Sequence, residues 1–323
     1  MRGVGKIGAM EFLDLGASEE GRPVGGVRFG RGPKHVTLIA GSHADEPVGP
    51  ETLVRFIQQA SAQPDDFAPA AEEFTILIIP QVNPDGEARN WSWIEKWPDL
   101  AAYLTSAVRE LPGRDVEFGY PDLRSENRLV ASAMKQMAPL VLHMSLHGMG
   151  YSDGAMLLVD RFWAFRTRVL REGFAAAAAA RGLRLHDHNR RGEKGFFQIE
   201  PGFTTTPEGA AMRAYFDSTG QPEVAALFRD SSMEFARSLG GDPLCVVTEL
   251  PLFLVEGPAE PGVPVAYLNF SKRKPALVAR LSQGESPGSV LGAEPVSHLD
   301  LATALEIQWE SIKLSLQTVS GPR

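Results

Sequence analysis

VTLIAGSHADEPVG, residues 36–49, is the stretch on which the fold turns. Residues 36–40 form a compact apolar run of the kind expected in a strand buried on both faces. That run leads straight into a turn carrying His43 and Glu46. In residues 50–60 (PETLVRFIQQA), Leu53, Phe56 and Ile57 fall at i, i+3 and i+4, which predicts a helix. A second apolar run, TILIIP at 75–80, completes a strand, helix, strand unit. Residues 141–146 (VLHMSL) and 245–249 (CVVTE) read as two further buried strands. Helices are expected over 124–137, with Ser125 as cap and Leu129, Val130, Met134 and Met137 as the apolar stripe, and over 162–180. Short buried strands alternating with longer helical segments predict an α/β fold, a sheet covered by helices.

The chain has 323 residues, 43% of them hydrophobic, enough for a large core. A single cysteine, Cys245, excludes a disulfide framework and a thiolate zinc site, and fits a cytoplasmic setting. A formal net charge of −8 argues against a nucleic-acid surface. No apolar stretch is long enough for an export signal or a membrane span, so no membrane partner is expected. Oligomeric state is not readable. Gly- and Pro-rich stretches at 256–264 and 283–295 set off a C-terminal extension ending in a helix near 299–316. One domain over 1–323 is expected, with a core of about 11–255 and an extension over 256–323. The alanines at 175–180 need only high helix propensity and close packing.

His43 and Glu46 sit where a strand ends, the address at which open α/β folds build sites, and imidazole and carboxylate are both zinc donors. His-x-x-Glu alone is common, so a third ligand is needed. LVLHMSLHGMG, residues 140–150, supplies two candidates. His143 and His147 share a strand face by periodicity, and the glycine after His147 favours it as the one emerging at a strand end. Two near ligands and a distant third leave a position open for water, as in a catalytic zinc site. Glu249, following an apolar run, is the candidate general base, since desolvation raises a carboxyl pKa. His186 and His188 in RLHDHNRR read as an exposed loop, and NPDG at 83–86 as a turn.

Together these motifs resemble the zinc metallocarboxypeptidase family, which includes the succinylglutamate desuccinylase and aspartoacylase branch. The resemblance rests on LGASEEGRPV (15–24), GSHADEPVG (41–49), NPDG (83–86), GRDVEFGYPD (113–122), SLHGMG (145–150) and VVTELP (246–251). It implies a three-layer α/β/α sandwich around a mixed, mostly parallel sheet. It also implies one zinc ion held by His43, Glu46 and His147, with Glu249 as general base in hydrolysis of a peptide or amide bond. The substrate implied is a peptide or an acylated amino acid. Arg89, downstream of NPDG, is the nearest match to the family's carbonyl-polarising arginine, and AYFDSTG at 214–220 places Tyr215 beside the position of an active-site tyrosine.

One departure bears on specificity. Where the family reads Gly-x-Asp-x-Asn-Arg-Asn-Phe-Pro, this chain has GRDVEFGYP, so Glu117 and Phe118 replace the Asn-Arg pair that grips a substrate carboxylate. Phenylalanine cannot form a bidentate carboxylate contact, and Glu117 beside a carboxylate would repel it and favour a cationic or amide-bearing group. Arg124, Arg128, Arg190 and Arg191 are the possible replacements. A binding protein without turnover and an N-acyl amino acid deacylase are the alternatives to a peptidase.

Overall fold

The computed structural model describes residues 2–7 and 10–321, with side chains from 10 onward. Among the described residues eleven strands form one sheet: β1 (Arg2–Ile7), β2 (Met10–Ala17), β3 (Pro23–Gly30), β4 (Lys34–Ala40), β5 (Phe74–Ile79), β6 (Leu140–Ser152), β7 (Met156–Val159), β8 (Gln198–Glu200), β9 (Phe203–Thr205), β10 (Leu244–Val255) and β11 (Val296–His298). The helices are α1 (Val48–Ala62), α2 (Ala68–Glu73), α3 (Pro84–Ile94), α4 (Leu100–Ser106), α5 (Ser125–Met137), α6 (Arg168–Ala179), α7 (Gly209–Ser218), α8 (Pro222–Ala225), α9 (Ser232–Ser238), α10 (Val265–Ser282), α11 (Pro287–Leu291) and α12 (Leu301–Ser320). Strand order is β1-β2-β3-β5-β4-β6-β10-β7-β9-β8, with β11 on β10.

The sheet is mixed. Its centre, β5-β4-β6-β10, is parallel, as are β7 and β9, while the other pairings are antiparallel. The parallel character expected from the sequence therefore belongs to the centre, where strands are separated by crossover helices. Alternate residues of these strands feed two cores. Val36, Leu38, Ile76, Ile78, Met144, Leu146 and Val246 pack with Leu53 and Phe56 of α1 and Ile307 and Ile312 of α12. Ile39, Leu77, Ile79, Cys245 and Val247 pack on the opposite side with Val130 and Met134 of α5 and Met233 of α9. Burial on both faces accounts for the unbroken apolar runs seen in the sequence.

Several elements differ from expectation. β6 and β10 run well past Leu146 and Glu249, because they stay paired through Leu254↔Ser152. Between the last β7 partner, at Glu249, and the first β11 partner, at Phe253, lies Pro251, which has no N–H to give a ladder. The helix expected over 162–180 begins only at Arg168, after a 3₁₀ turn at Ala164–Arg166. Ser125 does not cap α5; Arg124 holds the N-cap position and the Ser125 hydroxyl accepts from Arg128 instead. NPDG is a helix start, with the Asn83 side chain accepting from Gly86 N at 3.0 Å and Pro84 in the first turn. Its Asp85 is buried and accepts from Ser18 Oγ (2.6 Å), Glu20 N (3.0 Å) and Arg22 (2.9 Å), so the 15–24 segment ties the β2–β3 hairpin to α3.

The segment beyond Leu254 is integral to the layers. α12 packs against α1, α6, β6 and β10. From its buried face, Gln308 donates to His147 O (2.9 Å) and Thr248 Oγ1 (3.0 Å) and accepts from Thr52 Oγ1 (2.6 Å). α10 docks through Phe270, fully buried, against Tyr151 at a ring separation of 4.8 Å.

Candidate metal centre and active-site cleft

Chain order and register assemble the site. His43 and Glu46 lie in the turn leaving β4, closed by a hydrogen bond from Glu46 N to His43 O at 3.2 Å. α1 then starts close to the sheet, where a Cβ on Gly49 would come 2.3 Å from Leu146 O, so glycine is required at that approach. On β6, His143, Ser145 and His147 share one face. His147 and Glu249 are register partners in adjacent parallel strands, which places the two side chains next to each other.

His43 Nδ1 lies 3.0 Å from His147 Nδ1 and 3.1 Å from Glu46 Oε1, and His147 Nδ1 lies 2.9 Å from Glu46 Oε2. Among the described residues this is the group of ligand atoms, all within 4.8 Å of one another, that could hold a metal ion. Two ring nitrogens facing each other at that distance beside a carboxylate is a donor set for a cation. Tetrahedral zinc with bonds of about 2.05 Å sets its ligand atoms about 3.3 Å apart. The residues present therefore fit the group that the sequence implies. Electrostatics agree. Burial opposes the charged form of Glu46, but Arg109, His43 and His147 outweigh it and hold the carboxyl well below its ordinary range. Burial likewise opposes a charged His147, but Glu46, with the hydrogen bonds to Glu117 and Glu46, raises it to about 9.

A further layer orients these ligands. His43 Nε2 faces Asp115 at 3.5 Å. His147 Nε2 lies 2.8 Å from Ser145 Oγ and 3.2 Å from Glu117 Oε2. Glu117 is 1% exposed and also accepts from Ser145 Oγ (3.2 Å), Ser232 Oγ (2.7 Å) and Ser232 N (3.2 Å). Burial pushes against its charge, yet the hydrogen bond from His147 and the nearby charge bring its pKa down to about 2. Glu117 is thus committed to the imidazole and to Ser232 at the start of α9, and the repulsion of a substrate carboxylate expected from the sequence has no basis in this geometry. His143, deeper on the same face, is bound to Thr37 Oγ1 (2.7 Å) and Ser232 Oγ (3.1 Å) and is a core histidine, its pKa lowered to about 4 by burial.

Glu249 projects into a cleft of about 450 Å³ that His43, Glu46, His147 and Phe118 also line. Its Oε2 is buried without a hydrogen-bond partner among the described residues, and burial, then the charge of Glu46, raise its pKa to about 7. Phe118 packs edge-on to Phe228.

Other expected site residues lie elsewhere. Arg89 does not line the cleft; it pairs with Glu20 and, at 3.3 Å, Glu110. The guanidinium beside the candidate metal ligands is that of Arg109, which donates to Asp45 Oδ1 at 2.9 Å and to Glu46 Oε1. Tyr215 lies on α7, not on a strand, against Phe216, and is not a lining residue. The tyrosines of the cleft are Tyr103, Tyr151 and Tyr267. A Cβ on Gly150 would come 1.6 Å from the Tyr103 hydroxyl, so this glycine admits that ring. Arg124 is buried on Glu126 at 2.8 Å, and of the four candidate replacement arginines only Arg190 lines the cleft. His186 is not exposed: its Nδ1 lies 2.6 Å from Asp153 Oδ1, and Asp153 also pairs with Arg184 at 2.9 Å. His188 is partly buried beside it. No helix among the described residues is long and apolar enough to cross a membrane.

Comparison with known proteins agrees with this architecture. Residues 8–105 match the profile described as zinc carboxypeptidase. Zinc carboxypeptidase A 1 of Anopheles gambiae is 30% identical over 122 residues, covering 36% of this chain and 28% of that protein. The inactive metallocarboxypeptidase ecm14 of Talaromyces marneffei is 26% identical over 100 residues, covering 27% of this chain and 17% of that protein. These curated relatives are therefore matched over less than a third of their own length. The metallo-carboxypeptidase structure from Burkholderia cenocepacia superposes with a TM-score of 0.54 at 13% identity, covering 97% of this chain and 66% of that one. Carboxypeptidase A from Helicoverpa armigera gives 0.54 at 13%, covering 97% and 69%. The fold is that of the carboxypeptidases. Over residues 8–105 the sequence is similar to the zinc carboxypeptidases, and over nearly the whole chain the fold is theirs.

Proposed function

We propose that this protein is a metal-dependent hydrolase of a peptide or amide bond. The observation carrying that reading is the convergence of His43, Glu46 and His147 on one point with Glu249 beside it in register. His43 Nδ1, His147 Nδ1 and the Glu46 carboxylate would hold the ion, which when bound supplies Lewis acidity toward water and the substrate carbonyl. Glu249, an unpartnered carboxyl of raised pKa, takes a proton from the attacking water and delivers it to the leaving nitrogen. Arg109, in the place expected of Arg89, aims a guanidinium at the same end of the cleft and offsets charge developing on the carbonyl oxygen. Glu117 and Asp115 fix the imidazole rings from behind, so both present Nδ1 forward. Phe118 supplies an apolar wall where relatives place an arginine.

The decisive experiment is zinc analysis of the purified chain with turnover of a peptide and N-acyl amino acid panel, repeated with Glu249→Gln. Bound zinc with hydrolysis that Glu249→Gln removes supports the reading. Zinc retained without turnover by the unaltered chain would favour a binding role, the second reading, which the inactive relatives and the missing Asn-Arg pair motivate.

A further inference from the structure

A second cavity, of about 270 Å³, lies away from the cleft between the starts of α1 and α3. Glu87, Trp91 and Ile94 fall at i, i+4 and i+7 of α3 and share one face of that helix. Glu51 and Val54, three apart, share a face of α1. All five line the cavity, together with Trp97 and with Leu252 of β10. The two helix starts are joined by the turn that carries His43 and Glu46. A Cβ on Gly86 would come 2.5 Å from Ala44 Cβ, and Glu51 N donates to Pro47 O at 3.2 Å. Ala44 and Pro47 are three residues apart, a span of at most about 11 Å, so Glu51 and Glu87 border one small space.

Its walls are apolar and incompletely covered. Trp97 is tilted over Phe253 at a ring separation of 5.2 Å and Leu252 is buried, but Trp91 is 55% exposed and meets no other ring among the described residues. An open indole beside an apolar floor is a surface that a ligand can cover. The charge at the rim has one sign. The carboxylates of Glu51 and Glu87 form no hydrogen bond or ion pair among the described residues, and no lysine, arginine or histidine described here lines the cavity. The first turn of a helix favours a negative charge, which accounts for a glutamate at each place but supplies no cation. Indole faces also attract cations, so walls and rim call for the same ligand. An anion would be repelled by both glutamates, and a neutral apolar molecule would leave them unanswered.

We propose that this cavity is a second binding site, for an organic ammonium ion carried on an apolar body, with Trp91 and Trp97 holding the body and Glu51 and Glu87 the charge. The site is independent of the hydrolase reading and requires no metal. Glu46 borders both cavities, so the occupant lies against the turn that carries two of the candidate metal ligands.

The test is calorimetric titration of the full-length, metal-free chain at fixed ionic strength with two probes of one shape, 2-phenylethylammonium and 2-phenylethanol. The cation should bind about tenfold more tightly than the alcohol. Glu51→Gln and Glu87→Gln should each reduce that preference about threefold, and the double variant should abolish it. Trp91→Ala, at an exposed position where folding is not at stake, should weaken both probes about tenfold. Equal affinities for the two probes, no saturable binding of the cation, a preference that survives in the double variant, or cation binding unchanged by Trp91→Ala would each overturn the inference. None of these results bears on the hydrolase reading, which stands or falls on zinc and turnover.

Discussion

Replacing Glu117 by Gln keeps the volume of a fully buried side chain and removes only its charge and one acceptor. The carboxylate takes hydrogen bonds from Ser145 Oγ, Ser232 Oγ and Ser232 N and lies 3.2 Å from His147 Nε2. An amide has a single acceptor oxygen. If that oxygen stays with Ser232, an NH₂ group faces the N–H of His147, donor against donor. Losing one charge-assisted hydrogen bond costs about 1.5–3 kcal/mol, and most of that falls on the metal-bound state, where Nδ1 must be the bare nitrogen and Nε2 the protonated one. Divided by 1.4 kcal/mol per decade, the expected loss of zinc affinity is about tenfold to a hundredfold, the range usual for such outer partners. Competition against a chromophoric chelator at fixed pH measures it directly. Denaturant unfolding of the metal-free proteins serves as the control for a purely structural loss. A zinc dissociation constant within twofold of the unaltered protein would refute the role given to Glu117.

Other perturbations test the surroundings. Gln308→Ala strands Thr52 Oγ1, Thr248 Oγ1 and His147 O, and urea unfolding should report a loss of about 1–3 kcal/mol; a smaller change would mean these groups find other partners. His143 has a folded pKa of about 4, below the ordinary 6.5, so the unfolded chain binds more protons between those values and stability must fall as pH drops through that window. Comparing metal-free protein with His143→Gln from pH 6.5 to 4.5, this histidine should account for about 2 kcal/mol of acid-induced loss; parallel pH profiles would contradict its buried neutral state. Gly150→Ala cannot be made without moving the Tyr103 ring, so activity should drop while the far side of the sheet keeps its hydrogen-exchange protection. Burial pushes the Cys245 thiol up, and iodoacetamide at pH 8 should label it only after unfolding; rapid native labelling would show the strand to be accessible.

How far the primary structure could be read depended on the range of the interactions involved. Strand interiors were visible because burial on both faces imposes a local composition, and His43, Glu46, His147 and Glu249 were visible because each leaves such a run in a characteristic setting. Arg109 was missed because spacing counted from NPDG picks the nearer Arg89, and only the packing of α3 and α4 decides which guanidinium reaches Glu46. Glu117 was seen but given the wrong neighbours: nothing local indicates that Ser232, 115 positions away, would occupy its carboxylate. Tyr215 failed for a simpler reason, since its segment is helical and strand alternation does not apply. His186 was taken for a solvated residue because flanking arginines suggest water, while Asp153, 33 positions earlier, bonds its ring within the fold.

The wedge formed by Gln308 also sets an order of events during synthesis. It bridges Thr52, 256 positions earlier, and the backbone of His147, 161 positions earlier, so the last helix clamps residues that left the ribosome long before it. Until that helix emerges, the nascent sheet has an open flank and an unclamped ligand strand. An ion held by His147 would therefore sit on a strand that is braced only once α12 has docked.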